Sequence, residues 1–525
     1  MHPFAHNSSR RGFLIGASAL GATAAGGAHG AEATVVVETR FGKVRGFDTG
    51  SVKIFKGIPY GETTSGRFRF MPPVDPQKWS RVRDALQYGP TAPQSNPIAA
   101  GEREDCLVLN IWTPVVGLVR RLPVMVWCHG GGFATGSGSS EGTDGSNLAR
   151  RDVVVVSINH RLNALGFTFL GDLGGAEFAS SGDVGMLDIV HALKWVRDNI
   201  AHFGGDPSTV TIFGQSGGGR KVGTLLAMPA AKGLFHRAVI QSGPTITLVE
   251  REQANRVASE LLAKLGISKS KVRELQNVPI DRLMSAYHAV VRSMNVDQMT
   301  QGFSPTMEGK IIPQHPFHPV ASAVSANVPL LAGCARTELT LGAQDALFSL
   351  SEEAMRGRIK DLLGDSAAAV IDIYRKANPG ASPSDLYFLI ASDNRYGAPV
   401  MKIVERRAAL GKAAVYQYYF RWETPVQGGR LKSPHTIDVP FVFDNVKISA
   451  SLTGGGAEAM ALADKVSDAW VTFARTGNPN SGNLPQWPAF EPVNRPTMVF
   501  NNQSKVEHDP IREQRIAMFS AMKLA

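Results

Sequence analysis

Phe203-Gly-Gly-Asp-Pro-Ser-Thr-Val-Thr-Ile-Phe-Gly-Gln-Ser216-Gly-Gly218 reads as a strand, a sharp elbow and the start of a helix. The β-branched run Ser208 to Phe213 supplies the strand. Gly214-Gln215-Ser216-Gly217-Gly218 supplies the elbow. A serine at such a turn takes strained backbone angles, so its neighbours at 214 and 218 must be small. The strain lifts the hydroxyl clear of the sheet at a helix N-terminus, which is the placement of a nucleophile.

Working outward, the near-continuous apolar run Leu122 to Cys128 predicts a buried parallel strand, and Val153 to Ile158 predicts another. Leu107 to Trp112, Arg237 to Gln241 and Val328 to Ala332 read as further core strands, and Thr34 to Phe47 as an N-terminal hairpin. Asp183 to Ile200 has helical periodicity. Asp464 to Arg475 reads as a helix stopped by Thr476-Gly-Asn-Pro479. Alternating strands and helices predict an α/β fold with a doubly wound, mostly parallel sheet and helices on both faces. Such sheets bind ligands beyond the carboxyl ends of their strands, where Ser216 would lie. Leu248 to Ser304 and Ser351 to Leu410 are helix-rich and less patterned, which suits a cap over the site.

A hydroxyl attacks only when a base takes its proton. Among 13 histidines, His435 stands in a loop, Lys432-Ser-Pro-His435-Thr-Ile-Asp, just before the apolar Val-Pro-Phe-Val-Phe443. Glu338 lies just past the strand in Val328-Pro-Leu-Leu-Ala-Gly-Cys-Ala-Arg-Thr-Glu338, where a carboxylate can orient the base. His129-Gly130-Gly131-Gly132-Phe133 follows the strand Leu122 to Cys128, and glycines there let backbone N–H groups turn toward a reacting oxygen. The order serine, acid, histidine is that of α/β-hydrolases.

The elbow segment resembles the active-serine signature of type-B carboxylesterases, the family of cholinesterases and bacterial para-nitrobenzyl esterases. Glu104-Asp105-Cys106-Leu107-Val108-Leu109-Asn110-Ile111-Trp112-Thr113-Pro114 resembles that family's second signature, and the likeness runs from about Val35 to about Phe500. It implies the α/β-hydrolase fold, a catalytic set of Ser216, Glu338 and His435, and oxyanion donors at Gly131, Gly132 and Gly217. It also implies a buried Arg69–Glu104 ion pair and a sheet-end role for Asn159 and Arg161. Cysteine 106 pairs in many relatives with an upstream cysteine, but Ser95 stands at that place here, so no bridge is expected. Around the acid, Cys334, Ala335, Thr337 and Leu339 depart from the family's pattern. Gln215 replaces its usual Glu and Gly217 its usual Ala, while Arg220 and Lys221 stand where small residues are usual. The loop from Ser95 to Cys106 lacks the tryptophan by which cholinesterases hold a quaternary ammonium, which argues against choline esters.

Composition is that of a globular protein of 525 residues with net charge +10. The basic residues are scattered, with no stripe and no interleaved aromatics, which argues against nucleic acid. No metal-ligand spacing exists among the three cysteines and the histidines, and the Gly-x-x-x-x-Gly-Lys-Ser/Thr phosphate loop is absent. Residues 1–33 read as a targeting segment: Ser9-Arg10-Arg11-Gly12-Phe13-Leu14 resembles a twin-arginine signal, and the run Phe13 to Ala28 is too short for a membrane span. The chain is thus expected to use the twin-arginine export machinery and to reach the periplasm or the medium. Residues 34–525 are read as a single hydrolase domain.

The expected activity is hydrolysis of a small-molecule carboxylic ester through an acyl-enzyme, with no cofactor and no metal. Three other reactions share that intermediate and stay open: amide hydrolysis, carbamate hydrolysis and acyl transfer. A non-catalytic binding protein on the same fold would ordinarily have lost its serine. The ester and the oligomeric state are not legible in the sequence.

Overall fold

Mostly continuous apolar runs build the core of one 13-stranded sheet in the computed structural model, which describes residues 33–295 and 302–524. The expected leader, apart from Ala33, lies outside the described residues, as do positions 296–301 of the first expected cap segment. The main path comprises β1 (Thr34–Thr39), β2 (Gly42–Asp48), β3 (Lys53–Pro59), β4 (Val108–Thr113), β5 (Gly117–Cys128) and β6 (Val154–Ile158). It continues with β7 (Phe203–Gln215), β8 (Arg237–Gln241), β9 (Leu330–Ala335), β10 (Val415–Phe420), β11 (Pro496–Phe500) and β12 (Lys505–His508). Their order is β1-β2-β3-β4-β6-β5-β7-β8-β9-β10-β11-β12, with the short Arg83–Asp84 strand beside β2. Pairing is parallel from β6 through β11 and antiparallel at both flanks.

Side chains alternate along each strand, so each face gathers its own core. Val124, Val126 and Cys128 of β5 join Ile189, Leu193 and Val196 of the helix Val184–Asn199. Met125 and Trp127 join Leu462, Val466 and Trp470 of the helix Ala457–Thr476 on the other face. That helix starts seven residues before the expected Asp464 and ends, as read, at a left-handed Gly477. The elbow strand is longer than Ser208 to Phe213: Phe203 and Gly205 pair with Gly117 and Leu122 across register shifts. Gly204 itself turns through φ 76°, between the two paired residues.

The sequence steps from β5 to β6 on one side, then crosses back to β7 on the other. This reversal opens a crevice at the carboxyl ends of β5 and β7. Buried ion pairs brace its surroundings. Arg161 clasps Asp188 through Nε at 2.8 Å and Nη2 at 2.6 Å, and Asn159 Oδ1 accepts the Gly138 N–H. Arg69 binds both carboxylate oxygens of Glu104 at 2.7 Å, and its Nη1 reaches the carbonyls of Leu275 and Val278. The connection between the helices Arg251–Leu265 and Ile280–Met294 is thereby tied to the loop ahead of β4. A third apolar cluster binds Glu352–Leu363, Ala367–Ala377 and Pro383–Ser392 together, and a Ser382–Asp385 capping box starts the last of these.

Candidate active site

Ser216 ends β7 with φ 57° and ψ −122°, a conformation costly for any residue with a Cβ. Its N–H donates to the Gln241 carbonyl at 2.8 Å, and its own carbonyl accepts the Arg220 N–H at 3.0 Å. The elbow is as crowded as the sequence implies. A Cβ on Gly218 would lie 2.0 Å from the Cys128 carbonyl oxygen, and one on Gly214 2.5 Å from the Gly218 carbonyl carbon. The helix Gly217–Leu225 begins at once, with its first N–H groups lacking intrahelical acceptors.

The loop after β5 meets this helix start. Gly131 (φ 86°) and Gly132 (φ 63°) are both left-handed. A Cβ on Gly217 would lie 2.2 Å from the Gly132 carbonyl oxygen, so the two backbones touch. Among the described hydrogen bonds, none uses the N–H of Gly131 or Gly132. The three expected oxyanion donors are therefore brought together beside Ser216.

Glu338 opens a 3-10 turn just past β9 and is buried. One carboxylate oxygen accepts the Ser242 hydroxyl at 2.6 Å and the Ala335 N–H at 2.8 Å. The other meets His435 Nδ1 in a close contact, and the His435 N–H reaches the Glu338 carbonyl at 3.2 Å. Ser433 exchanges backbone and hydroxyl bonds with Thr337, so the acid and histidine loops form one unit. A carboxylate on Nδ1 fixes the tautomer that leaves Nε2 a bare lone pair, the form a base requires. The Gln215 amide nitrogen lies 3.3 Å from each ring nitrogen of His435. The Tyr396 ring covers the imidazole with centroids 4.8 Å apart and planes at 36°.

Ser216 and His435 line one pocket of about 460 Å³, with Gly130 and Gly131 on its wall. Among the described residues, no Asp, Glu, Lys or Arg lines it. No hydrogen bond among those described joins Ser216 Oγ to His435; such bonds often tighten only when substrate binds.

The sequence reading missed Ser242, Gln215 as a neighbour of the histidine, and Tyr396. Ser242 had a usable signal, since Gln241-Ser242-Gly243 follows a core strand directly. Tyr396 had none: a π-helical turn, Asp393–Gly397, swings it over the imidazole. All three cysteines are buried and free, Cys106 as Ser95 implied. Among the described residues no cluster of metal-ligating side chains occurs, and no helix is long and apolar enough to cross a membrane.

The carboxylesterase family's sequence profile matches residues 33–519. The chain is 35% identical to the para-nitrobenzyl esterase of Bacillus subtilis strain 168, over 92% of this chain and 98% of that one. It is 31% identical to the phenmedipham hydrolase of Pseudarthrobacter oxydans, with the same coverage of each. The structure of a Geobacillus stearothermophilus carboxylesterase at pH 6.2 superposes with a TM-score of 0.82 at 38% identity, covering 92% of this chain and 99% of that one. With its α/β-hydrolase fold and its serine beside a histidine–carboxylate pair, the chain belongs to the carboxylesterase family.

Proposed function

We propose that this ester hydrolase works through an acyl-enzyme on Ser216. His435 takes the hydroxyl proton at Nε2 as Oγ attacks the ester carbonyl. Glu338 holds the imidazolium that forms, and the N–H groups of Gly131, Gly132 and Gly217 receive the oxyanion. His435 then protonates the leaving alcohol. Water, deprotonated by the same imidazole, attacks the acyl-enzyme and releases the acid and free Ser216. The observation that carries the reading is the Glu338–His435 contact beside a serine on a strained elbow.

A pre-steady-state burst with para-nitrophenyl acetate tests it, with mass spectrometry of the quenched enzyme. One acetyl group per chain on the peptide containing Ser216 is expected. Turnover with the label on another residue would overturn the assignment.

The segments 248–304 and 351–410 are read as the cap. Support comes from Tyr396 of the second lying on His435. The uncharged lining of the pocket favours a neutral ester. Residues 34–525 are read as a single domain and 1–33 as an export leader, supported by the Arg10-Arg11 pair and the short apolar run after it. Replacing both arginines by lysine should retain the full-length chain in the cytoplasm on cell fractionation. Unchanged export of that variant would remove the twin-arginine reading.

A further inference from the structure

The helix behind the nucleophile carries a buried lysine that, among the described residues, meets no carboxylate. Lys221 is fully buried, and Nζ donates to the His129 carbonyl at 2.8 Å, its one described acceptor. The Phe133 ring centroid lies 6.0 Å away. The titratable groups facing the amine are the Cys128 thiol at the end of β5, His129 on the glycine loop and His160 after β6. Arg161 stands next to His160, but Asp188 neutralises it. His129 and His160 stack with centroids 4.9 Å apart and planes at 15°. Each directs Nδ1 at a carbonyl, of Gly130 and of Arg161 respectively, and leaves a buried Nε2 without a partner. Burial and the neighbouring amine hold both imidazoles well below the ordinary histidine range, so they are neutral.

An apolar side chain of similar length would fill this space without the cost of burying an amine. What the amine does provide is a tie. The His129 carbonyl belongs to the peptide unit where the chain leaves β5 and enters the glycine loop. The next residues, Gly130 to Gly132, turn through two left-handed conformations with no side chain to steady them. We propose that Lys221 is a positioning residue of the oxyanion hole: by gripping the His129 carbonyl from the nucleophile's helix, it fixes the direction in which the Gly131 and Gly132 N–H groups point. The proposal rests on the reading of those glycines as the hole.

Lys221→Met and Lys221→Gln test it on a para-nitrophenyl ester, with a trifluoromethyl ketone as the probe of the hole. The ketone adds to the serine and places an oxyanion where the N–H groups converge. The Met variant should lose about 10- to 100-fold in kcat, less than deletion of a donor outright, with KM little changed. Its ketone affinity should fall by a similar factor. The Gln variant keeps an N–H donor and should recover part of both.

Stability should move the opposite way. Burial lowers Lys221 from the 10.5 of a free lysine to about 7. Between those values the unfolded chain binds more protons, so wild-type stability rises with pH across that window. Below it the full burial cost is present, and Lys221→Met should therefore stabilise the protein more at pH 6 than at pH 9.

Wild-type kcat and ketone affinity in a folded Met variant would overturn the proposal. If that variant does not fold, the Gln variant decides, since a loss of ketone affinity beyond its loss of substrate affinity is required. A wild-type enzyme to which the ketone does not add at Ser216 would instead sink the underlying reading of the site.

Discussion

Ser216→Ala should leave a folded protein with almost no esterase activity, its kcat down by on the order of 10⁴- to 10⁶-fold. No described hydrogen bond uses the Ser216 hydroxyl, so its removal costs the fold little. Alanine inherits the same positive φ and the same strain, which keeps the elbow intact. The backbone bond to Gln241 and the glycine contacts around the turn are untouched. Hydrolysis of para-nitrophenyl esters from acetyl to long acyl, beside a thermal melt, separates chemistry from stability. The wild-type chain-length profile also sizes the acyl pocket. Near-wild-type turnover by the folded variant would mean that Ser216 is not the nucleophile.

Glu338→Ala should cost about 10³- to 10⁴-fold in kcat. It should also lower stability by at least about 1–3 kcal/mol. The two losses have one origin. The buried carboxylate accepts from the Ser242 hydroxyl, the Ala335 N–H and His435 Nδ1. Alanine strands all three donors and frees the imidazole to rotate or take the wrong tautomer. Glu338→Gln tells the effects apart. It keeps one oxygen for Ser242 and Ala335 while presenting an amide N–H to Nδ1, so urea midpoints should largely recover and kcat should not. A Gln variant as fast as wild type would show that the acid's charge is dispensable.

The two site members that lie farthest from Ser216 in the chain were legible because each borders an apolar run, Glu338 after one and His435 before one. Glu338 comes just beyond Leu330–Ala335, and His435 just before a short apolar helix, Asp438–Val442. Strand runs can be read locally, so the residues that end them can be placed. What was not legible depends on neighbours remote in sequence. Phe203 to Gly205 fall outside the strand read as Ser208 to Phe213, and they join it only through pairing with Gly117 and Leu122. Tyr396 reaches His435 only through a π turn that no periodicity announces. Lys221 looks like a misplaced surface charge until the helix after the elbow packs against the loop after β5.

Because Gly217 and Gly132 meet backbone to backbone, neither half of the proposed anion-binding cradle can vary independently. The alanine usual in the family at position 217 has no room unless the 130–132 loop retreats first, and a retreat alone would open the cradle. Mutational paths that reshape it must therefore pass through paired changes, and single-site scans across these glycines will report strong epistasis rather than additive contributions. A library meant to retune this enzyme toward bulkier carbonyl groups should vary the elbow and the loop together.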